Sequence, residues 1–326
     1  MAKITAPLMS KSASGSIGKE MTFSERKSGS QVRYQKKQKT DEPTQAQVSN
    51  QSLYRVIYAR WLSMSAGERS VFNDEVKTKN LQMSGWNLFL KKAMSNPDEY
   101  LGLKGYWTFN DDTAEVSADI SKNGFPATLK PTYPGDVPVY VDSKNSKMKK
   151  ALKFDGVNDC ASVPYGVLDM DGFSPYTFAC WFKPTVLSGL RSLFANFKDA
   201  PPRGILLARL FTSNRFYVIM TYRDTINVIQ AYFDFPAPNY NEWNFVAYTY
   251  SGSGTFAGIN VYLNGELTTP TMQRDNLVTS LSHNTNKCIG NSPNNVYSEN
   301  GSIDEPLLYG SELSQSEVRN LYNLFK

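Results

Sequence analysis

The stretch Trp243-Asn-Phe-Val-Ala-Tyr-Thr-Tyr250 is followed, after a polar loop, by Ile259-Asn-Val-Tyr-Leu263. Aromatic and β-branched residues fill both segments, and such residues favour strands. Alternate residues of each segment form an apolar face, so the two segments predict an antiparallel hairpin. The loop 251–258 is too long for a tight two-residue turn, and burial of the apolar faces must therefore set the register.

Other strand-like segments lie on both sides of this hairpin. Turn residues separate them at a spacing typical of a β-sandwich. A content of 13% aromatic residues, including 19 tyrosines, also favours β structure. The predicted strands are 105–110, 151–154, 176–183, 192–197, 205–210, 216–221 and 225–233.

Four separated motifs in this part of the chain resemble one known family. They are Ala151-Leu-Lys-Phe-Asp-Gly-Val-Asn-Asp159, Trp243-Asn-Phe-Val246, Val261-Tyr-Leu-Asn-Gly265 and Gly301-Ser-Ile-Asp-Glu-Pro-Leu-Leu-Tyr309. In this order they resemble the laminin-G-like branch of the concanavalin A-like lectin/glucanase superfamily, over residues 103–326. The resemblance implies a mainly β fold, a jelly-roll sandwich of two antiparallel sheets.

A helical region is predicted in front of the sandwich. From residue 51 onward, apolar residues recur at intervals of four, four and three between Leu53 and Met64, as on one face of a helix. Ser65-Ala-Gly-Glu68 is a capping box that starts a second helix, and 84–94 has the spacing of a third. Such a module, of about 45 residues, is too short to bury a large core by itself.

A last helix is predicted at the C-terminus. Ser314-Gln-Ser-Glu317 forms another capping box. The apolar residues Val318, Leu321 and Phe325 share one face of the helix that follows, and we expect this face to dock on the sandwich.

The first 48 residues predict an extended basic arm. Residues 1–40 contain nine Lys or Arg and two Glu, a net charge of +7 in a chain whose total is +5. Short extended pieces at 20–23 and 31–34 favour a small hairpin, which is marginal alone, so we expect a partner to order it. The side chains expected to attach the arm are Lys19, Arg26, Lys27, Arg33, Lys36 and Lys37.

Motifs of this front region resemble the short N-terminal module of tailed-bacteriophage structural proteins. They include Gln31-Val-Arg33, Trp61-Leu-Ser63 and Ser84-Gly-Trp-Asn-Leu-Phe89. An unrelated helical linker is the alternative, since Trp and Leu at helical spacing are more often core residues than a signature. The expected organisation is an arm at 1–48, a helical module at 49–97, and a lectin-like sandwich with a C-terminal helix at 98–326.

The two resemblances together imply a non-enzymatic virion structural protein. Its N-terminal region would attach to other virion proteins of the capsid, neck or tail, with self-association, and the sandwich would face outward as a decoration, tail or fibre component. Contact with a host-surface glycan and decoration alone are both open. The alternative is a non-viral carbohydrate-binding or adhesion module, which the neighbouring genes would distinguish.

The expected location is the virion, assembled in the host cytoplasm. The N-terminal residues lack an apolar run long enough for a signal peptide, and no stretch of eighteen consecutive apolar residues occurs, so membrane insertion is not expected. The basic arm lacks a recognisable nucleic-acid-binding fold. Attachment along an acidic protein surface is therefore preferred to nucleic-acid binding.

The cysteines are expected to be buried thiols. Three cysteines, Cys160, Cys180 and Cys288, do not make a disulfide framework, and none has metal-ligand spacing to another. Cys180 lies in the apolar run 178–182, which is typical of a small core residue.

The sequence predicts no catalytic residues. Glucanases of this superfamily use paired carboxylates on one strand face, typically Glu-x-Asp-x-Glu, and this pattern is absent. The nearest groupings, Asp111-Asp112 and Asp304-Glu305, put adjacent residues on opposite faces of an extended chain, so we expect them not to converge. A single histidine, His283, also disfavours triad or zinc chemistry.

Calcium is the only cofactor that the resemblance suggests, because laminin-G-like domains often hold one Ca²⁺ at the sandwich rim. Turn formation is the competing and preferred interpretation of the candidate ligands, since Asp and Asn bond their own backbone in turns. Residues that would bind a sugar are not identified, although an exposed Tyr240 or Tyr297 could stack on one. The calcium candidates are Asp111, Asp112, Asp119, Asn158 and Asp159.

Overall fold

A computed structural model gives the chain five α-helices and twenty strands within the residues that it describes. Within those residues, no helix combines the length and the apolar character needed to cross a membrane. The described residues are 15–17, 21–25, 31–35, 43–111, 115–131, 137–145, 148–185, 188–199, 202–210, 215–222, 227–234, 241–293 and 296–326. The helices are α1 (Gln45–Ser63), α2 (Ala66–Thr78), α3 (Gly85–Ser95), α4 (Pro97–Leu101) and α5 (Gln315–Phe325).

The arm contains three short strands, β1 (Gly15–Ile17), β2 (Met21–Glu25) and β3 (Gln31–Gln35). They pair antiparallel in the order β1-β2-β3. The hairpin predicted from 20–23 and 31–34 corresponds to β2 and β3.

The first sheet of the sandwich has eight strands in the described residues. Its path is β17-β16-β15-β10-β20-β8-β7, with β4 also paired to β20, and every pairing is antiparallel. The strands are β4 (Leu103–Tyr106), β7 (Val139–Asp142), β8 (Lys150–Asp155), β10 (Tyr176–Pro184), β15 (Asn244–Tyr250), β16 (Ile259–Leu263), β17 (Glu266–Leu267) and β20 (Asn300–Tyr309).

The second sheet has nine described strands in the order β18-β14-β13-β12-β11-β19-β9-β6-β5, again antiparallel throughout. Two stacked antiparallel sheets confirm the predicted fold class. The strands are β5 (Val116–Ser117), β6 (Ala127–Pro131), β9 (Asp159–Val163), β11 (Leu190–Asp199), β12 (Pro202–Leu210), β13 (Arg215–Tyr222), β14 (Asn227–Asp234), β18 (Thr269–Asn276) and β19 (Lys287–Ile289).

The predicted hairpin is confirmed as β15 and β16. Their register pairs Val246 with Leu263, Tyr248 with Val261 and Tyr250 with Ile259. These six side chains all belong to the apolar cluster between the two sheets. Burial of one matched face on each strand therefore accounts for the register, as expected from the length of the loop.

Helix α1 begins at Gln45, six residues before the start that the apolar period predicts and inside the region assigned to the arm. Thr44 is its N-cap, and its hydroxyl accepts a 3.3 Å hydrogen bond from the amide of Gln47. The Gln47 side chain in turn accepts a 3.0 Å bond from the Thr44 amide. This capping box, in front of a polar first turn, was the missed signal for the helix start.

The predicted capping boxes of the other helices are present. Ser65 and Glu68 form one at α2, and Ser314 and Glu317 form one at α5. The predicted docking face of α5 is buried at Val318, Leu321 and Phe325.

Helices α1, α3 and α5 cover the outer face of the eight-stranded sheet. Ile57 of α1, Phe89 of α3 and Val318 of α5 are fully buried. They belong to one apolar cluster that also includes Trp181 of β10 and Leu307 of β20. The helical region thus shares a core with the sandwich. Removal of residues 1–97 would expose this sheet face to water, at a cost in free energy.

The expectation of three thiols is wrong for Cys160 and Cys288, which form a disulfide. Cys160 lies in β9 and Cys288 in β19, two paired strands whose register sets Cys288 opposite Ser162. The Cα atoms are 5.8 Å apart, within the usual range for a disulfide. A separation of 128 residues left no local signal of this pairing. Cys180 is a buried free thiol, as predicted.

We predict that Ile57→Ala lowers the free energy of unfolding by about 2–5 kcal/mol, because it leaves a cavity in the core shared by helix and sheet. Urea unfolding followed by tryptophan fluorescence measures this. Val71→Ala on α2 is the control, since Val71 is 61% exposed and a surface change should stay within about 0.5 kcal/mol. Equal effects of the two variants would contradict a shared core.

We also predict that only one cysteine reacts with an alkylating agent when the protein is denatured without reductant. Reduction before alkylation should raise the number to three, because the disulfide removes two thiols. Intact-mass spectrometry counts the modified residues, and Cys180→Ala should leave none without reductant. Three reactive cysteines in the unreduced wild-type protein would rule out the bond between Cys160 and Cys288.

Candidate functional site

The outer face of the nine-stranded sheet is the second large surface of the sandwich, opposite the helix-covered side. Strands β12, β13 and β14 alternate between two environments. Residues such as Leu207, Val218 and Ala231 point into the core between the sheets. Their neighbours in sequence point outward, since the side-chain period of a strand is two residues.

Two tyrosines lie side by side on this outer face. Tyr217 of β13 is directly opposite Tyr232 of β14, and their rings stack with centroids 5.1 Å apart and planes at 27°. The Arg215 guanidinium lies 5.4 Å from the centroid of the Tyr232 ring. Arg215 also donates a 2.5 Å hydrogen bond to Asp234. The result is an ordered row of ring, ring and guanidinium across two strands.

The row stands beside an apolar floor made by the outward residues of β11 and β12. Ala195, Phe197, Leu206 and Ala208 are buried there. We call the half-buried side chains that pack on or beside this floor the aromatic face. Its members are Leu190, Tyr217, Ile219, Tyr232 and Tyr297.

Hydrogen bonds and a buried ion pair hold the loop that carries Tyr297 in place. The Tyr297 carbonyl accepts a 2.8 Å hydrogen bond from the Ser192 amide, and Arg191 donates a 2.8 Å bond to the Ser298 carbonyl. Arg209 and Glu299, both fully buried, form an ion pair with one hydrogen bond of 2.7 Å. A paired and hydrogen-bonded charge of this kind holds β12 to the segment before β20.

Polar side chains lie next to the aromatic face, on the side of β14 and β18. Gln230 of β14 pairs with Ile219 of β13 on one side and with Arg274 of β18 on the other. An apolar, partly aromatic surface with a few amide and charged groups at its edge can bind a ligand that has both apolar and hydroxyl-bearing faces.

Among the calcium candidates, Asp119 is occupied by backbone amides. Its Oδ1 accepts bonds from the amides of Tyr106 at 3.0 Å and Ser121 at 2.9 Å, and its Oδ2 accepts one from Phe125 at 3.2 Å. Asp111 Oδ2 accepts from the Ala118 amide at 3.2 Å. The bond between Asp119 and the amide two residues later is that of a turn former, and the other bonds hold backbone segments that are farther apart in sequence. Asp112 lies outside the described residues.

The other two candidates lie at the turn between β8 and β9. Asp159 Oδ2 accepts a 2.8 Å bond from the Asp155 amide, and the Asn158 amide donates to Asp155 at 3.4 Å. Asp159 is buried. In the part of the chain that the structure describes, no three His, Cys, Asp or Glu residues are grouped as a metal ion requires. Calcium binding stays a prediction, with turn formation a sufficient role for these residues.

The expectation that Asp304 and Glu305 diverge is wrong. A β-bulge sets Glu305 and Pro306 of β20 opposite the single residue Cys180 of β10, and Glu305 has a φ of +51°. The bulge delays the alternation by one residue, so both carboxyls lie on the helix-covered face. Glu305 accepts a 2.8 Å bond from the Ser52 hydroxyl of α1.

Both carboxyls of this pair are buried, and burial is the main cause of the shift in their pKa values. Asp304 is 0% exposed and Glu305 is 1% exposed. Burial raises the pKa of Glu305 to about 7, although hydrogen bonds from Tyr106 and Ser52 act in the opposite direction. Burial, and then the charge of Glu305, raise the pKa of Asp304 well above its ordinary value.

A family model described as the concanavalin A-like lectin/glucanases superfamily matches residues 155–319, which is half of the chain. The chain belongs to this superfamily. The match covers the central hairpin and β20, the strands on which the predicted resemblance depends. It leaves the N-terminal region outside, so the resemblance of that region to phage proteins stays a prediction. A search of curated proteins returns no relative of this chain.

Solved structures show the same fold at low identity. The binding domain of Paraclostridial mosquitocidal protein 1 is 18% identical, with a TM-score of 0.51 over 68% of this chain and 52% of that one. The botulinum neurotoxin serotype G binding domain is 17% identical, with a TM-score of 0.50 over 68% of this chain and 51% of that one. The matched region thus spans about half of each binding domain.

The lectin-like domain keeps its buried carboxyl pair away from solvent, beneath α1. The single histidine is also an unpromising catalytic group. His283 is half-buried and its Nδ1 accepts a 3.2 Å bond from the Thr285 amide, and burial lowers its pKa below the ordinary value. Neither group has the open position beside a glycosidic bond that hydrolysis requires.

The predicted attachment residues are almost all outside the described part of the chain. Arg33 lies in β3, opposite Phe23 of β2. The others are Lys19, Arg26, Lys27, Lys36 and Lys37, which fall outside the described residues.

Sequence reasoning missed the tyrosine row and found only one part of the aromatic face. Tyr297 was singled out and lies on this face, whereas Tyr240 is outside the described residues. The available signal was the run 215–222, in which apolar residues occupy both strand faces. A strand that is apolar on both sides at the outside of a sheet marks a covered or ligand-binding surface.

Proposed function

We propose that this protein is a non-enzymatic carbohydrate-binding protein whose lectin-like domain binds sugar on the aromatic face. The observation that carries the proposal is the stacked pair Tyr217 and Tyr232, of which Tyr217 packs against a fixed apolar floor. Tyrosine combines an apolar ring with a hydroxyl, which suits a ligand such as a pyranose that has apolar C–H faces and hydroxyl edges. The superfamily contains lectins, and this supports the proposal by analogy.

The absence of a path for a polysaccharide to the buried carboxyl pair supports a non-enzymatic function. Hydrolysis requires two carboxyls on either side of the scissile bond, about 5 Å apart or more. Asp304 and Glu305 are adjacent but lie under a helix, where a polysaccharide chain cannot reach them. Their place beneath α1 favours a structural role over catalysis.

We further propose that the N-terminal region attaches the protein to a bacteriophage particle. Two sequence features support this: the basic arm, and the resemblance of the front motifs to tailed-phage structural proteins. The partners would be capsid, neck or tail proteins together with further copies of this chain, and the location would be the virion. A non-viral adhesion module is the alternative, in which the same face binds a glycan without a particle.

Binding by one domain is expected to be weak. An open, half-buried face immobilises little of a ligand, so we expect a dissociation constant of roughly micromolar to millimolar for one site. Many copies on one particle would raise the avidity without new contacts.

We predict that the multimerised full chain binds a subset of glycans on an array, and that Tyr217→Ala combined with Tyr232→Ala weakens binding about fivefold or more. The reason is that each ring contact contributes about 0.5–1.5 kcal/mol. Tyr165→Ala is the matched control, because Tyr165 is 51% exposed and lies outside the aromatic face. Circular dichroism checks that the variants are folded.

The same array separates the alternatives. Wild-type binding to no glycan would leave decoration as the function, and unchanged binding by the double tyrosine variant would place the sugar site elsewhere. Repeating the array with a chelator and with Asp159→Ala tests the calcium proposal. Binding that survives both changes would retain the lectin and discard the metal.

We predict that proteases cleave the part of the arm that precedes α1, residues 1–43, in the free protein and spare it in assembled particles. Residues 45–48 are excluded because they belong to α1, where Val48 is buried. The arm lacks the apolar pattern of a core and carries the excess positive charge, so it should be ordered by a partner. Limited trypsin digestion followed by mass spectrometry of both samples measures this. The sandwich is the internal control, and equal cleavage of the arm in both samples would contradict attachment.

A further inference from the structure

Helix α1 and the sandwich meet at a polar centre inside an otherwise apolar interface. The Ser52 hydroxyl of α1 donates a 2.8 Å hydrogen bond to Glu305 Oε1 of β20. One turn earlier, Ser49 and Thr108 share a 3.0 Å hydroxyl–hydroxyl bond. Leu53, Val56 and Ile57 surround this centre with buried apolar contacts. The acidic pair is therefore part of the surface on which α1 lies.

The hydrogen bonds to the acidic pair come from neutral hydroxyls and from the backbone. Glu305 Oε2 accepts from the Tyr106 hydroxyl of β4. Asp304 accepts from the Ser143 hydroxyl, in the loop between β7 and β8, and from the Glu305 amide at 2.7 Å. Burial of a carboxylate is costly, and hydrogen bonds from neutral groups offset that cost only in part, so this setting favours the protonated acid.

Two of the segments that donate hydrogen bonds to the pair, α1 and the β7–β8 loop, also carry charged residues. From α1, Arg55 donates a 3.3 Å bond to the Ser52 hydroxyl, and its charge opposes the rise in the pKa of Glu305. From the β7–β8 loop, the Lys144 ammonium lies 3.8 Å from the centroid of the Trp181 ring on β10. Burial and the nearby charge of Lys326, at the end of α5, lower the pKa of Lys144.

The Tyr106 phenol and the Cys180 thiol also lie next to the pair, and both stay neutral between pH 5 and 8. Burial raises the pKa of the Tyr106 phenol well above its ordinary value. Cys180, which faces the bulge from β10, has a thiol pKa raised well above its ordinary value by burial and then by the charges of Glu299 and Asp304. Proton release between pH 5 and 8 therefore falls on the acidic pair.

We propose that Asp304 and Glu305 form a protonation-controlled latch: the protonated pair holds α1 on the sandwich, and ionisation of the pair loosens the helix. The latch uses the bulge, since an uninterrupted strand would point Glu305 into the core between the sheets. It acts on the element that connects the arm to the lectin-like domain. The proposal is independent of what that domain binds.

The direction follows from the proton affinity of the two states. Glu305 has a pKa of about 7 when α1 is docked, against an ordinary value of 4.5 when it is exposed. The docked state therefore binds the proton more tightly, and the stabilisation is fully present below the ordinary value and is lost as the pH rises through about 7. Between pH 5 and 8 the opening equilibrium of α1 should increase on the order of 50-fold from Glu305 alone.

Hydrogen exchange of the full chain, resolved by peptide mass spectrometry and corrected for the intrinsic pH dependence of exchange, tests the latch. Opening of α1 is expected to increase by tens of fold from pH 5 to pH 8. Peptides from the nine-stranded sheet provide the internal reference for global unfolding. A corrected opening of α1 that is flat over this range in the wild-type protein would overturn the proposal without any variant.

Two variants identify the groups. Glu305→Gln and Asp304→Asn keep the size and hydrogen-bonding capacity of the pair and remove its titration, so each should reduce the pH dependence of α1 opening, and both together should remove it. Glu312→Gln is the control, because Glu312 is exposed and lies outside the interface. Retention of the full pH dependence in the double variant would assign the effect to other groups and reject the latch.

Discussion

Burial of the eight-stranded sheet on both faces is the constraint on which the other features of the molecule depend. Strands β10, β15 and β20 have the sandwich core on one side and α1, α3 and α5 on the other. Each of these strands must therefore be apolar in both alternating sets of residues, as in Phe178-Ala-Cys-Trp-Phe182. Burial of the outer face stabilises the helices and the strands together. The helical region is therefore part of the core of the lectin-like domain.

A doubly buried strand leaves no solvent for its polar residues. Such residues need partners inside the protein, and the bulge in β20 provides them for Asp304 and Glu305. It turns both carboxyls toward the helices, where hydroxyls of three other segments reach them. A carboxyl in such a site retains its proton more strongly than in water. The same burial that fixes the helices on the sheet thus couples their docking to pH and closes the acidic pair to a polysaccharide.

With one sheet covered by helices, the outer face of the other sheet is the surface on which we propose that recognition takes place. Its floor is built from Ala195, Leu206 and Ala208, which are small or compact enough for Tyr217 and Tyr297 to pack over them. The Arg209–Glu299 ion pair lies beneath the face and connects β12 to the segment before β20. The Cys160–Cys288 bond joins β9 to β19 on the outer side of the same sheet, where Cys288 is opposite Ala195 of the floor. The two proposed functions, recognition and attachment, would therefore use opposite sides of one sandwich.

The sequence by itself determined the features that depend on neighbouring residues. Period-two patterns located the long central strands but not shorter ones such as β6, β9 and β19, and the 3.6-residue period located the helices apart from the first turns of α1. The capping boxes at Ser65 and Ser314 located helix starts, and the family motifs identified the sandwich. The tertiary structure alone decided which residues meet. The disulfide joins positions 128 residues apart, and one extra residue in β20 reverses the side to which Glu305 points. Both depend on the register between strands that are distant in sequence, and a local pattern contains no information about that register.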